Sequence, residues 1–330
     1  MKKIINRSED VVLEMCQGIL AAGKDSLAFD RKSCFFTKKD LNADKVCLIC
    51  GGGSGHEPAH AGFIGQGMLD AAVCGDVFAS PSTMQIYNAI RRTQTPKGTL
   101  LIVKNYSGDV MNFDAAAEMA RDDGILVESV YVDDDIAVED SLYTVGRRGV
   151  AGTVFVHKIA GAAAELGKDL CEVKRIAEKT VRNVKTIGLA LTSCTAPAMG
   201  KCTFNIAQDE IEFGVGIHGE PGIKRQKLQT ADELAKKMCG MLAGELALES
   251  RCECAVIING LGGTPLMELF ILNNSATKYL DSHGITIYKT LVGNYMTSLD
   301  MAGVSITMLK LDEELKALLG CKADAMFFKN

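Results

Sequence analysis

Three short stretches carry side chains able to do chemistry on a backbone open enough for a ligand to reach. The first is Gly51-Gly52-Gly53-Ser54-Gly55-His56-Glu57-Pro58, which follows an apolar run. Without Cβ atoms, these glycines let backbone N–H groups come close to an anion or polar ligand. His56 can act there as an acid or base, or simply cap the turn. The second is Asn105-Tyr106-Ser107-Gly108-Asp109, which ends another apolar run headed by Thr99 and closed by Lys104. Asp109 suits a catalytic base, and equally a helix N-cap, since a helical segment follows. The third is Gly214-Val215-Gly216-Ile217-His218-Gly219-Glu220-Pro221-Gly222. A histidine fenced by glycines is uncrowded, and a neutral imidazole nitrogen can add to a carbonyl. Glu220 or another acceptor can hold one ring N–H and leave the other nitrogen basic. The plainer reading of this stretch is a hairpin turn with an exposed histidine.

Several familiar sites do not fit. Gly51 and Gly53 match the start of the dinucleotide fingerprint, but His56 stands where the third glycine belongs. The G-x-x-x-x-G-K match at 18–24 reads as a helix with no preceding strand, and Asp25 replaces the Ser or Thr of a P-loop. His56 and His60 have zinc spacing, but Pro58 lies between them and no third ligand is near in sequence. Cys47 and Cys50 have C-x-x-C spacing on a strand, where residues three apart face opposite ways. Asp133-Asp134-Asp135 reads as a solvated loop rather than a magnesium site. The chain by itself is therefore expected neither to bind nor to hydrolyse ATP.

The elements that must position these groups follow a βα rhythm. Strands are expected at 46–50, 99–104 and 125–132, with a helix at 113–122 between the last two. That is a βαβ unit, and it predicts a partly parallel sheet covered by helices. Two helices follow, at 151–166 and 171–183. Strand signals resume at 186–191. Segments 204–206 and 211–215 predict an antiparallel hairpin around a polar turn. Thr230 and Glu233 form a capping box for a helix reaching about residue 246. Further strands are expected at 255–258, 285–291 and 304–310, with helices beginning near Pro265 and spanning 312–319. The expectation is an α/β chain of two α/β domains with mixed sheets. Residues 1–183 would carry the GGGSGHEP and NYSGD loops, and residues 184–330 the GIHGEPG and GGTP segments.

Composition narrows the class. The chain has 330 residues, 47% hydrophobic and 23% charged, with a formal net charge of −5. Lys and Arg form no long run, which argues against nucleic-acid binding. Neither an export signal nor a membrane-length apolar window is present, so the reading is a cytoplasmic protein. The twelve cysteines are scattered through apolar segments and read as small buried hydrophobes.

Taken together, these stretches resemble the dihydroxyacetone kinase K subunits. That family carries G-G-G-S-G-H-E-P, N-Y-[ST]-G-D, G-[IV]-H-G-E-P-G, G-G-T-P and M-T-S-L-D-M-A-G segments. Here they stand at 51–58, 105–109, 216–222, 262–265 and 296–303, in family order. The resemblance implies that His218 forms a covalent hemiaminal with the ketone carbon of dihydroxyacetone. It makes His56 and Asp109 the acid–base residues at the attacking hydroxyl, and Gly53, Ser54 and Lys104 holders of substrate hydroxyls. It implies a homodimer with no cofactor on this chain. ADP or ATP and magnesium would sit on a separate L subunit, recharged by a phosphotransferase-system protein. The chain ends at Asn330, so the nucleotide half is expected on another chain. Two alternatives share the capture step: a ketose-binding co-activator of a transcription regulator, and a kinase subunit for another short ketose such as erythrulose.

Overall fold

The computed structural model describes residues 2–138, 145–198, 200, 202 and 204–330. The fold is α/β. The first half contains α1 (Val11–Ala22), β1 (Leu27–Asp30), β2 (Phe35–Lys38), β3 (Cys47–Ser54), β4 (Gly65–Gln66), β5 (Ala71–Val77), α2 (Thr83–Thr93), β6 (Thr99–Lys104), α3 (Ser107–Asp122) and β7 (Val127–Val132). Then come α4 (Thr153–Glu165), α5 (Leu170–Asn183), β8 (Val184–Ala190), β9 (Glu210–Phe213) and β10 (Lys224–Lys227). The chain closes with α6 (Ala231–Glu245), β11 (Glu253–Gly260), α7 (Leu266–Ser282), β12 (Thr286–Gly293), β13 (Gly303–Leu311), α8 (Glu313–Gly320), β14 (Asp324–Ala325) and β15 (Phe328–Lys329).

Two six-stranded sheets run β1-β2-β5-β3-β6-β7 and β10-β9-β8-β13-β11-β12. In the first, β5, β3, β6 and β7 are parallel, and β6-α3-β7 is the expected βαβ unit. The second is antiparallel apart from the β11–β12 pair. A small third sheet, β15-β14-β4, ties the C-terminus back to the first half.

The apolar clusters define the layers. α2 and α3 cover the outer face of the first sheet, through residues such as Ile86, Phe113, Ile49 and Leu101. α6 and α7 cover the outer face of the second, through Met238, Leu269, Val256 and Ile306. Between the sheets one continuous core joins Leu48, Ile102 and Val130 to Ala255, Ile257 and Leu309 through α4 and α5. α4 is buried on every side from Thr153 to Ala164, as expected for a helix apolar all round. Cys50 belongs to this inner core and Cys47 to the outer one, so the two thiols do face opposite ways. All twelve cysteines are free thiols, and only Cys171 and Cys202 are exposed.

Three local expectations are corrected. β3 does not stop at Cys50 but runs on to Ser54. Its glycines pair with β5 (Gly51 with Val73, Gly52 with Cys74), and the register breaks at Gly53. The glycine loop is thus the bulged end of a strand, a common way to re-aim the chain at a site. The hairpin is β9–β10 rather than 204–206 with 211–215, so the His218 segment is its connecting loop. Finally, Asp134 and Asp135 are buried, not solvated. Asp134 accepts from Val150 N, Gly152 N (both 2.7 Å) and Thr186 Oγ1 (2.5 Å), and Asp135 pairs with Arg148 at 2.6 Å. A charge run in sequence cannot show that two of its members turn inward to satisfy backbone donors and a buried guanidinium.

Candidate active site

β6 ends at Lys104 and α3 begins at Ser107, so the turn between them points its residues at the carboxyl edge of the first sheet. Asp109 lies in the first turn of α3, where the helix dipole favours a carboxylate. It is not the N-cap: that position is Tyr106, and Asp109 makes no cap bond. Its Oδ2 instead accepts from Lys104 Nζ at 3.1 Å, and the same ammonium donates to Gly51 O at 3.1 Å. Both side chains are buried. Gly52 makes room for this pair. Its φ is +152°, and a Cβ there would stand 2.2 Å from Lys104 Nζ.

A cavity of ≈ 360 Å³ opens over this pair, lined by Gly53, Phe78, Ser80, Tyr106, Ser107, Gly108, Asp109 and His218. That is the size of an ordinary small-molecule site. Asp109, Gly53 and His218 therefore meet at one space, although they come from both halves of the chain. Ser54, His56 and Lys104 lie just beneath the lining. Ser54 Oγ donates to Gly75 O at 2.7 Å, and Lys104 is fully buried.

His218 stands edge-on to Tyr106, His56 and Phe78, with ring centroids 4.3, 4.7 and 5.5 Å away. Burial, then the positive charge of Lys104 and Arg148 together with neighbouring His56, holds its pKa well below the usual histidine value. The ring is neutral at physiological pH, the state a nucleophilic imidazole requires. Glu220 does not take a ring N–H as expected; it accepts the backbone N–H of His218 at 2.7 Å. Arg148 steadies that loop and was not foreseen. Its buried guanidinium bonds Asp135, Gly214 O (2.8 Å) and Glu220 Oε1 (3.5 Å). In sequence Arg148 is one of an adjacent arginine pair, and nothing there tells it from Arg147, which stays partly exposed.

His56 Nδ1 lies 2.8 Å from the carbonyl oxygen of Thr297. A carbonyl only accepts, so Nδ1 carries the proton and Nε2 the lone pair. Nε2 has no partner and is buried. Burial, with the charge of Lys104, pushes the pKa of His56 down to about 3. His56 is thus an uncharged base with its free nitrogen fixed.

His60 is not part of this site. It meets Cys50 and His157 deep between the sheets, with Cys50 Sγ 3.5 Å from His60 Nδ1 and the two rings edge-on at 5.2 Å. Sequence offered no third partner for His60, and the fold brings Cys50 and His157. Burial, and then the charge of Lys104, depresses the basicity of both imidazoles, and the same positive charge opposes a divalent cation there. The buried His157 ring is held at about 3 by burial. The unfolded chain therefore takes up this proton first, and stability falls as pH drops below about 6.5. His157→Gln removes that proton. In urea unfolding between pH ~6 and ~4, the acid-side fall in stability should become shallower by about 1.4 kcal/mol per pH unit. An unchanged slope would show that His157 is already charged in the folded state.

No helix among the described residues is long and apolar enough to cross a membrane. Comparison with known proteins gives four findings. The Dak1 domain model matches residues 17–327. The chain is 51% identical over 314 residues to the PTS-dependent dihydroxyacetone kinase 1, dihydroxyacetone-binding subunit DhaK, of Listeria innocua, covering 95% of each chain. Its fold is similar to that of the dihydroxyacetone kinase of C. freundii, with TM-score 0.90 and 39% identity, over 99% of this chain and 60% of that one. It is equally similar in fold to the dihydroxyacetone kinase operon co-activator Dha-DhaQ, with TM-score 0.90 and 35% identity, covering 95% of this chain and 97% of that one.

Proposed function

The chain belongs to the Dak1 domain family, and on that footing we propose that it is the ketose-binding subunit of a dihydroxyacetone kinase. The carrying observation is that neutral His218 and Asp109, backed by Lys104 and His56, face one cavity at the junction of the two sheets.

Capture begins when the unprotonated ring nitrogen of His218 adds to the ketone carbon. The carbonyl π pair moves to oxygen, which takes a proton, while the other ring nitrogen gives up its N–H. The product is a neutral hemiaminal. This step separates dihydroxyacetone from glycerol, which differ by one carbonyl, because only the ketone can form the C–N bond. The free terminal hydroxyl would then attack the γ-phosphorus of ATP held with magnesium on a separate L subunit, the bond from that phosphorus to the β,γ-bridging oxygen breaking to release ADP. Asp109 accepts the hydroxyl proton, with His56 Nε2 as relay. Gly53, Ser54 and Lys104 hold the other hydroxyls. On this reading residues 1–183 carry the proton-transfer groups and residues 184–330 the capturing histidine. The protein works in the cytoplasm as a homodimer, and a phosphotransferase-system protein recharges the nucleotide.

The co-activator likeness keeps a second reading in view, since a sensor needs only selective capture. What favours the kinase is the buried Lys104–Asp109 pair opening onto the cavity. A paired base at the hydroxyl serves transfer rather than binding. The test mixes the full chain with a nucleotide-loaded L subunit and its phosphoryl donor and follows dihydroxyacetone phosphate. Turnover that depends on this chain is expected. No turnover with any cognate L subunit, together with ketose-dependent binding to a transcription regulator, would replace the kinase by the sensor.

A further inference from the structure

His56 is aligned by a segment far away in the chain. Residues 295–299 of the second half grip the 55–57 turn of the first. Thr297 N donates to His56 O (3.2 Å), Leu299 N to Gly55 O (2.8 Å), and Thr297 Oγ1 to Glu57 O (2.9 Å) and Gly55 O (3.3 Å). Thr297 O receives His56 Nδ1–H at 2.8 Å.

That segment is itself fixed by one side chain. Asn259, at the end of β11, is fully buried. Its Oδ1 accepts from Tyr295 N (2.9 Å) and Met296 N (3.0 Å). Its Nδ2 donates to Met296 O (2.8 Å) and Ser305 Oγ (3.0 Å). All four hydrogen-bonding positions of the amide are used. No other side-chain type presents two acceptor and two donor directions at this length. The residue ties β11, β13 and the 295–297 turn together one peptide away from the carbonyl that holds His56.

We propose that Asn259 is a positioning residue for His56. It places the Thr297 carbonyl so that His56 is locked in the Nδ1–H tautomer, with the lone pair of Nε2 kept for proton transfer. The second sheet thereby sets the protonation geometry of a base carried by the first. This rests on the kinase reading for its effect on turnover, but the tautomer itself can be read without any reaction.

The test uses the full-length chain in three forms: wild type, Asn259→Asp and Thr297→Val. Asn259→Asp keeps the shape and the two acceptor contacts but loses both donors. Thr297→Val removes the hydroxyl bonds and leaves the carbonyl. Imidazole nitrogen NMR on the wild type should show His56 neutral, with Nδ1 protonated and Nε2 bare, near pH 7. In Asn259→Asp the two tautomers should mix. Turnover with an L subunit should fall about 10- to 100-fold, the usual cost of a misplaced catalytic group, with ketose adduct on His218 unchanged. Thr297→Val should keep the wild-type tautomer. Protonated Nε2 in the wild type overturns the proposal, whether or not the variants fold. So does a folded Asn259→Asp with one tautomer and turnover within about twofold of wild type. Failure of the wild type to support any turnover would count against the kinase reading and leave the tautomer result to stand alone.

Discussion

Replacing His218 by alanine should abolish covalent capture of dihydroxyacetone and, with it, turnover. The imidazole lines the cavity, and burial leaves it neutral and unprotonated, with a ring nitrogen lone pair able to add to a carbonyl. Cys50 lies in the inner core with its thiol pushed up to about 12 by burial, so it is no rival. Intact-mass measurement of the native or borohydride-treated complex should show one added ketose on the wild type and none on His218→Ala. The loss in turnover should be at least about 1000-fold, as when a covalent catalyst loses its nucleophile. The fold should survive, because His218 lines a cavity rather than filling the core, and its loop is held through Glu220 and Arg148 by backbone contacts. An adduct persisting in His218→Ala would place the nucleophile elsewhere. Capture should also be nearly flat from pH 6 to 8, since a histidine held well below its usual pKa gains no proton in that window.

Asp109→Asn should separate capture from transfer. The substitution keeps shape and hydrogen-bonding capacity but removes the base, so turnover should fall roughly 100- to 10,000-fold. The His218 adduct should form as before, because the ketone carbon and the attacking hydroxyl are different atoms. Lys104 loses its ionic partner but keeps Gly51 O. An unpaired buried charge costs stability, so thermal unfolding must be measured alongside. Asp109→Ala serves as a second variant, since both changes remove the base equally. Because Asp109 is not the helix N-cap, preserved capping cannot rescue activity in Asn. Near-normal turnover in a folded Asp109→Asn would remove Asp109 from the chemistry.

Much of the frame was legible because it is local. Strand β6 and helix α5 lie where apolar runs and helical spacing put them, and the Thr230–Glu233 box caps α6 as its spacing demands. The opposite facing of Cys47 and Cys50 follows from the two-residue period of a strand. The glycine-rich segments announced His56, Asp109 and His218 because glycine marks places where backbone must open or turn. Errors came where neighbours in sequence are not neighbours in space. Asp109 looked like a cap until Lys104 reached it through the end of β6. Asp134 and Asp135 looked solvated until Thr186, the 150–152 amides and Arg148 closed round them.

The sequence by itself determined which residues could act, the βα rhythm, and a family resemblance spread along the whole chain. Only the tertiary structure decided how they act together. It set His218 of a hairpin in the second sheet beside His56 of the first, 4.7 Å apart. It gave His56 its tautomer through a carbonyl 241 positions away, and it made the histidines neutral by burying them. The reason is physical: periodicity and glycine content are properties of adjacent residues, whereas a hydrogen-bond partner and a desolvation cost belong to the packed whole.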